Sequence, residues 1–392
     1  MSELRTHSLR HNTATGQANI QMHSDGSTTI RDLKNLAPNL IINGAMAVAK
    51  RTTSVDFNTN AAYPAVDRWK TSIDLPGGVT DLKFEQDTDA PPGFNHSYKV
   101  SPNQAASGAL AVADRIWLEQ VIEGKNLGTL AYGTANAKGA TLSFWIKSNL
   151  TDKVGIELII PGARSLHQSV SISKADTWEF KSVPIAANTA DLPVKTNAAG
   201  LSIGFQFAAG PTFTGGSRTE NKWANTAADV RAPAGNMNLY SSANNYVNLT
   251  GVQLTATDAA FEYQHEDYGT TLAKCERYFY TPAATSTNVR FGQGLAADTD
   301  RGEVTVQLHT EMRTVPALRF LGNTTAGSFS LSDTTTGHAL DSIAIYEITS
   351  SSSVVCLICN KTAAAPNMTV KRFYYLENAS QSTACLGFDA EL

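Results

Sequence analysis

Thr141-Leu142-Ser143-Phe144-Trp145-Ile146-Lys147 is the stretch from which the fold is read. Leu142, Phe144 and Ile146 alternate with Thr141, Ser143 and Lys147, the period of two that a β-strand imposes on a half-buried chain. Four further stretches are alternating or rich in β-branched and aromatic residues: Val154 to Ile160, Trp178 to Val183, Leu201 to Phe207 and Val247 to Leu254. Turn signals separate strands of this kind, among them Pro76-Gly77-Gly78, Pro91-Pro92-Gly93 and Gly215-Gly216. Many short strands with long polar loops predict a β-sandwich of jelly-roll type over residues 38–269.

Outward from this block the character changes twice. Before it, Asn19 to Ile30 reads as a β-hairpin around Ser24-Asp25-Gly26. A lone hairpin is marginal in water, so residues 1–37 are expected to gain stability from a partner. After it, Leu272, Cys275 and Phe279 recur at helical spacing, with Thr270 or Thr271 as the cap. A helical linker over 270–280 is predicted. Strands then return at Gly302 to Leu308, Ala317 to Phe320, Ile343 to Ile348, Val354 to Ile358 and Thr369 to Leu376, a smaller C-terminal β domain over 281–392. No fixed internal period is present, which speaks against a propeller or β-helix. The fold class is therefore all-β.

Composition agrees. Only 17% of the 392 residues are charged, against roughly 25% in an average globular chain. Ser, Thr, Asn, Ala and Gly take their place, as suits the solvent faces and turns of β-structure rather than helix surfaces. The net charge of −4 offers no basic stripe for phosphates, so nucleic-acid binding is not expected. No apolar run approaches the roughly 20 residues of a membrane span, and the polar start MSELRTHSLRHNTATG has no secretory h-region. A soluble product made in the cytoplasm is expected.

Three segments carry a resemblance. Asn39-Leu40-Ile41-Ile42-Asn43-Gly44-Ala45-Met46 is followed by Lys50-Arg51-Thr52 and Tyr63-Pro64-Ala65-Val66-Asp67-Arg68-Trp69. Leu249-Thr250-Gly251-Val252-Gln253-Leu254 leads to Ala260-Phe261-Glu262 and Leu272-Ala273-Lys274-Cys275-Glu276-Arg277-Tyr278. The chain ends Gly387-Phe388-Asp389-Ala390-Glu391-Leu392. In order and spacing these resemble the opening, the closing segment and the C-terminus of jelly-roll modules in tail-fibre and related virion proteins of tailed bacteriophages. Glu311 to Pro316 resembles a strand of the same C-terminal domains. Lys50, Thr52, Thr255 and Glu276 depart from the pattern, and these are expected to be surface changes.

The resemblance implies a non-enzymatic structural protein of the virion, a tail fibre first. It would attach to a tail adaptor or tail ring through residues 1–37, assemble as a homotrimer and contact the host surface. A head fibre or capsid decoration is the alternative, and a glycan-degrading tailspike-type enzyme the second. Asn43-Gly44 reads as a tight turn with Gly44 at positive φ. Asp67 and Arg68 read as a charge pair capping the edge of a buried Trp69. Arg277, Tyr278 and Tyr280 are the candidates for a subunit or domain contact.

Chemistry elsewhere is sparse. Cys356 and Cys359 fall on opposite faces of a strand and do not converge as zinc requires. Cys275 and Cys385 complete a set too small for a disulfide scaffold. His265 with Glu262, Glu266 and Asp267 reads as a solvated boundary loop. The acidic groups Asp87/Asp89 and Asp298/Asp300/Glu303 read as polar turns without a calcium-loop pattern. No nucleophile elbow, phosphate loop or dinucleotide fingerprint is present, so no catalytic residue, metal or cofactor is assigned. Trp223, Tyr240 and Tyr246 lie in polar loops, and stacking on a host-surface glycan is assigned to them.

Overall fold

The computed structural model describes the strands β1 (Ser8–Leu9), β2 (Ile20–Met22) and β3 (Thr28–Ile30), and residues 37–57, 62–75, 82–103, 110–282, 286–321, 325–333, 335–379 and 384–392. The hairpin expected near residue 20 is there: Ile20 pairs with Ile30 and Met22 with Thr28. β1 adds a third strand, with Leu9 opposite Ile20. The Ser24-Asp25-Gly26 and Pro76-Gly77-Gly78 turns lie outside the described residues.

Among the described residues, twelve strands build the sandwich. In chain order they are β4 (Ser54–Phe57), β5 (Lys70–Asp74), β6 (Leu82–Asp87), β7 (Ser97–Pro102), β8 (Arg115–Glu123), β9 (Ala140–Ser148), β10 (Lys153–Ile159), β11 (Arg164–Ser171), β12 (Glu179–Ile185), β13 (Ala199–Ala209), β14 (Ala224–Asn225) and β15 (Val247–Thr255). One antiparallel sheet has the order β14-β11-β10-β13-β8-β5, the other β12-β9-β15-β7-β6-β4. This is a jelly-roll sandwich. Alternation decides what goes inside: Leu142, Phe144 and Ile146 of β9 share one core with Ile156 and Leu158 of β10 and Phe205 of β13. Trp69, fully buried, packs 6.3 Å from the Phe205 ring, and Phe144 meets the same ring edge-on at 5.0 Å.

The two sheets treat their outer faces differently. Residues 210–217, including the short helix α1 (Pro211–Thr214), and residues 226–236 fold over the β10–β13–β8 face, while β14 between them pairs with β11 at the sheet edge. Arg231 anchors them by gripping both Glu157 oxygens at 2.8–3.2 Å, and Phe213 packs edge-on against Trp117 at 5.2 Å. The opposite sheet keeps the β9–β12 corner open, with Phe180 45% exposed.

The linker helix α2 spans Tyr268–Glu276. It begins two residues before the expected 270 and ends before 280. Its cap is Asp267 rather than Thr270 or Thr271, because the Asp267 carboxylate accepts from Thr270 N at 2.9 Å. Phe279 and Tyr280 leave the helix as β16 (Phe279–Tyr280).

The C-terminal unit contains β17 (Arg290–Ala296), β18 (Arg301–Gln307), β19 (Ala317–Leu321), β20 (Phe329–Ser332), β21 (Gly337–Ile345), β22 (Val354–Lys361), β23 (Phe373–Asn378) and β24 (Cys385–Asp389). Six of them close a barrel in the order β17-β18-β22-β21-β20-β23, and β16-β24-β19 form a small sheet beside it. Two expected strands have other bounds. β21 stops at Ile345 because the Tyr346 carbonyl accepts from the backbone N–H groups of Thr349 and Ser350 and closes a turn. Thr369 to Arg372 turn rather than extend, with Lys371 at φ 65°. Along β22 the thiols separate: Cys359 enters the barrel core and Cys356 faces outward, half-buried.

Replacing Phe205 by Ala should cost about 3–5 kcal/mol, because it empties the contact between both sheets. Ile348→Ala, at a position 86% exposed, should stay within about 0.5 kcal/mol. Denaturant unfolding of both variants checks this.

Candidate functional site

Arg51, Tyr63 to Trp69, Arg277-Tyr278 and Asp389 to Leu392 meet at one place, the junction between the sandwich and the C-terminal unit, whereas Ala260 to Glu262 lie at the β9–β12 corner. Asn39 to Val48 enters without forming a strand, and two asparagines replace strand pairing. The Asn39 Oδ1 accepts from the N–H groups of Ile41 and Leu254 at 3.0 Å each. Asn43 takes the left-handed backbone, at φ 57°, where Gly44 was expected to. Asn tolerates that region because its short amide bonds locally. Here it donates to Val48 O at 2.9 Å and Asp67 O at 3.0 Å. Gly44 serves a different need: a Cβ there would stand 2.0 Å from Val252 O. The opening segment is thereby seated on β15, the closing one.

Asp67 and Arg68 do not pair with each other. Arg68 sits at φ 76°, and the reversed backbone sends the two charges to different partners. Asp67 accepts from Arg51 Nη1 at 2.9 Å and from Lys50 N at 3.0 Å. Arg68, 1% exposed, donates to Val121 O at 2.6 Å and pairs with Glu391. Its guanidinium lies 3.4 Å from the centre of the Tyr278 ring. Trp69 is buried as expected and donates its indole N–H to Asn43 O at 3.2 Å.

The C-terminus completes the junction. Glu391 also reaches Arg51 at 3.3 Å, and Arg51 lies 3.8 Å from the Phe279 ring centre. Leu392 O accepts from Tyr63 OH at 2.6 Å. Arg313 donates to Ala390 O and Glu391 O at 2.6 and 2.8 Å. Burial works against the Arg68 charge, but Glu391 overcomes it and holds the guanidinium above its ordinary value. Burial lifts Asp67 to about 6, against the pull of Arg51 and the Lys50 N–H.

Arg277 bridges the same junction, with Nε and Nη2 on the two Glu123 oxygens at 2.8 and 3.1 Å. Tyr278 contributes its ring to Arg68, as described. Tyr280 faces the other way, stacked 6.1 Å from Phe388 and edge-on to His309 at 4.6 Å. Sequence reasoning reaches Glu391 and Arg313 only as members of resembling segments and not Glu123 at all, and it misses the contacts of all three, because a lone charge carries no local signal of its partner. Thr255 and Glu276, expected at the surface, are buried: Thr255 bonds Thr257 at 2.8 Å, and Glu276 faces His309 at 3.6 Å.

The three aromatics assigned to glycan stacking occupy separate settings. Tyr240 is 4% exposed in a 3-10 turn, so its faces are unavailable for stacking. Trp223 is half-buried, donates to Ala186 O at 2.8 Å and meets Tyr132 edge-on at 5.7 Å. Tyr246 is half-buried, with its hydroxyl on Asp176 at 2.5 Å. The acidic turns have internal partners: Asp89 holds Lys147 at 2.8 Å, Asp300 holds Lys361 at 3.0 Å, and Glu303 holds Arg301 at 3.3 Å. Of the boundary-loop group, Asp267 caps α2 and Glu266 pairs with Lys274.

A Ser165–His167–Glu157 row has a superficial likeness to a catalytic triad. Ser165 Oγ lies 3.0 Å from His167 Nε2, and His167 Nδ1 lies 3.8 Å from Glu157 Oε1. Ser165 is fully buried and Arg231 holds both Glu157 oxygens, so the row pins the covering loop rather than receiving a substrate. Burial, with Arg218 and Arg231 beside it, pushes His167 down to about 4 and keeps it neutral.

No protein-family model and no curated protein matches the chain. Solved structures similar to it include TmCBM61 in complex with β-1,4-galactotriose, at 10% identity over 56% of this chain and 99% of that one, TM-score 0.27. Another is the CBM22-1 xylan-binding domain of Paenibacillus barcinonensis Xyn10C, at 9% identity, 57% and 97% coverage, TM-score 0.26. A third is the family 11 carbohydrate-binding module of Clostridium thermocellum, at 11% identity, 53% and 99% coverage, TM-score 0.25. What those proteins bind is a property of those proteins.

Two outcomes are expected at the junction. Glu391→Gln leaves Arg68 buried without its counter-charge and should cost about 3–5 kcal/mol, read as a lower unfolding midpoint in calorimetry. Asp67, lifted to about 6, binds a proton in the folded chain that the unfolded chain gives up near its ordinary value of 3.8. Its contribution is therefore full below that window and lost as pH rises through about 6. Asp67→Asn should gain on the parent by on the order of 2–3 kcal/mol from the acid to the alkaline side of that window, measured as paired melting curves.

Proposed function

We propose that this chain is a structural, non-enzymatic component of a tailed-phage particle, a tail fibre whose two β domains act as one rigid arm against the host surface. The observation that carries the reading is the convergence at the junction. Tyr63 to Trp69, Arg277-Tyr278 and the terminal Asp389 to Leu392 resemble virion proteins in sequence, and they supply the buried ion pairs and stacked rings that join sandwich to barrel. A protein that transmits load between a particle and a cell needs its domains joined in this way, because inter-domain motion is otherwise the default. Residues 1–37 would dock on a tail adaptor or ring, and copies of the arm would multiply weak surface contacts by avidity.

Cryo-electron microscopy of virions carrying this chain tests the reading. Density on the tail, with residues 1–37 at a tail ring, is the expected result. Density on the capsid would replace the fibre by a head fibre or decoration protein. Light scattering of the native protein should give about three times the chain mass of 41.9 kDa, and a monomer mass would overturn the trimer.

A further inference from the structure

The open corner of the sandwich holds a groove of about 600 Å³, within the range of roughly 300–1,000 Å³ of small-molecule clefts. Trp145 and Phe180, paired in register across β9 and β12, line it from the sheet, with ring centroids 5.5 Å apart. Phe94 lines it from one loop, and Phe261 and Tyr263 from another. Phe94, Tyr263 and His265 pack as a triangle with centroids 4.9–5.2 Å apart, so the two loops brace each other.

The groove depends on an irregularity in β15. The ladder between β15 and β9 shifts register between Thr250 and Gln253, and Gly251 there takes φ +61°. A Cβ on Gly251 would stand 2.7 Å from Phe94 Cζ and 3.1 Å from Trp145 Cδ1. The bulge and the missing side chain together let Phe94 descend beside Trp145.

We propose that this groove binds a neutral hexose-based glycan. Aromatic rings from sheet and loops suit the C–H faces of pyranose rings, and the Glu262 carboxylate and His265 suit their hydroxyls. Among the described residues, the lining carries no Lys or Arg. The cation two residues along β9, Lys147, is taken by Asp89 at 2.8 Å, which also accepts the Trp178 indole N–H at 3.0 Å. The lining therefore offers an acidic polysaccharide no counter-charge. The host cell surface as source of the sugar rests on the virion reading above, whereas the chemistry of the groove does not.

The full chain is titrated with neutral galacto-, gluco- and manno-oligosaccharides and with polygalacturonate, following tryptophan fluorescence and heat. At least one neutral oligosaccharide should bind, and Trp145→Ala should weaken it by about tenfold or more. Phe180→Ser, at an exposed position, should weaken it several-fold with an unchanged melting temperature, which separates lost binding from lost folding. Trp223→Phe should leave it unchanged. Absence of neutral-sugar binding at millimolar concentration overturns the proposal, as does binding that both groove variants leave intact. Preference for polygalacturonate overturns the neutral class. A change of oligomeric mass in Phe180→Ser without a change in sugar binding would overturn it too and make the groove a contact between copies. A chain found on the virion tail that binds no sugar would sink the groove and leave the fibre standing.

Discussion

Arg68 is a charge held where water cannot reach it, and the arrangement of the two domains follows from how that charge is compensated. A buried guanidinium without a partner is strongly destabilising. Its partner, Glu391, lies at the far end of the chain, 323 positions away. The charge buried in the sandwich is therefore compensated by a residue that β24 of the C-terminal unit brings to it. Arg51 and Tyr278 share the load: Arg51 is a further cation on Glu391, and the Tyr278 ring covers the flat face of Arg68. Glu123 and Arg277 add a bidentate tie beside it.

With that junction closed, the remaining freedom of the sandwich lies on its outer faces. One face is covered by residues 210–217 and 226–236. The cover is polar as well as apolar: Arg231 on Glu157, Gln206 on the Arg231 carbonyl at 2.6 Å, and the Asn236 side chain on Gly155 N at 2.9 Å. Covering a sheet face in this way needs buried polar groups to find partners, which explains the density of such contacts there. The other face keeps an aromatic corner open. A bulge at Gly251 shapes it, in keeping with the tendency of bulges to sit where a strand must re-aim its neighbours.

Much of the fold is legible along the chain. Strands such as Thr141 to Lys147 and Leu201 to Phe207 announce themselves because alternation is a local property of a pleated backbone. The helix before the barrel is visible for a similar reason, although its cap is not: Asp267 lies outside the apolar repeat that locates the helix. The turn at Asn43-Gly44 is legible, but Asn43 takes the positive φ expected of Gly44. Gly44 is needed instead because a Cβ there would stand 2.0 Å from Val252 O.

Local pattern also reaches the burial of Trp69, a large aromatic, though not the Asn43 carbonyl that accepts its indole N–H. It does not reach the choice of partners for Asp67 and Arg68, or the burial of Tyr240 against the exposure of Phe180. The amino-acid sequence by itself determined an all-β chain, the hairpin near residue 20, the sandwich strands and the helix between two β units, because each rests on periodicity within a few residues. The tertiary structure alone decided that Arg68 meets Glu391, that residues 210–217 and 226–236 cover one sheet, and that Phe94, Trp145 and Phe180 meet on the other. Those contacts join segments tens to hundreds of residues apart, and their geometry is set by how the sheets stack and where a strand bulges, which no local pattern encodes.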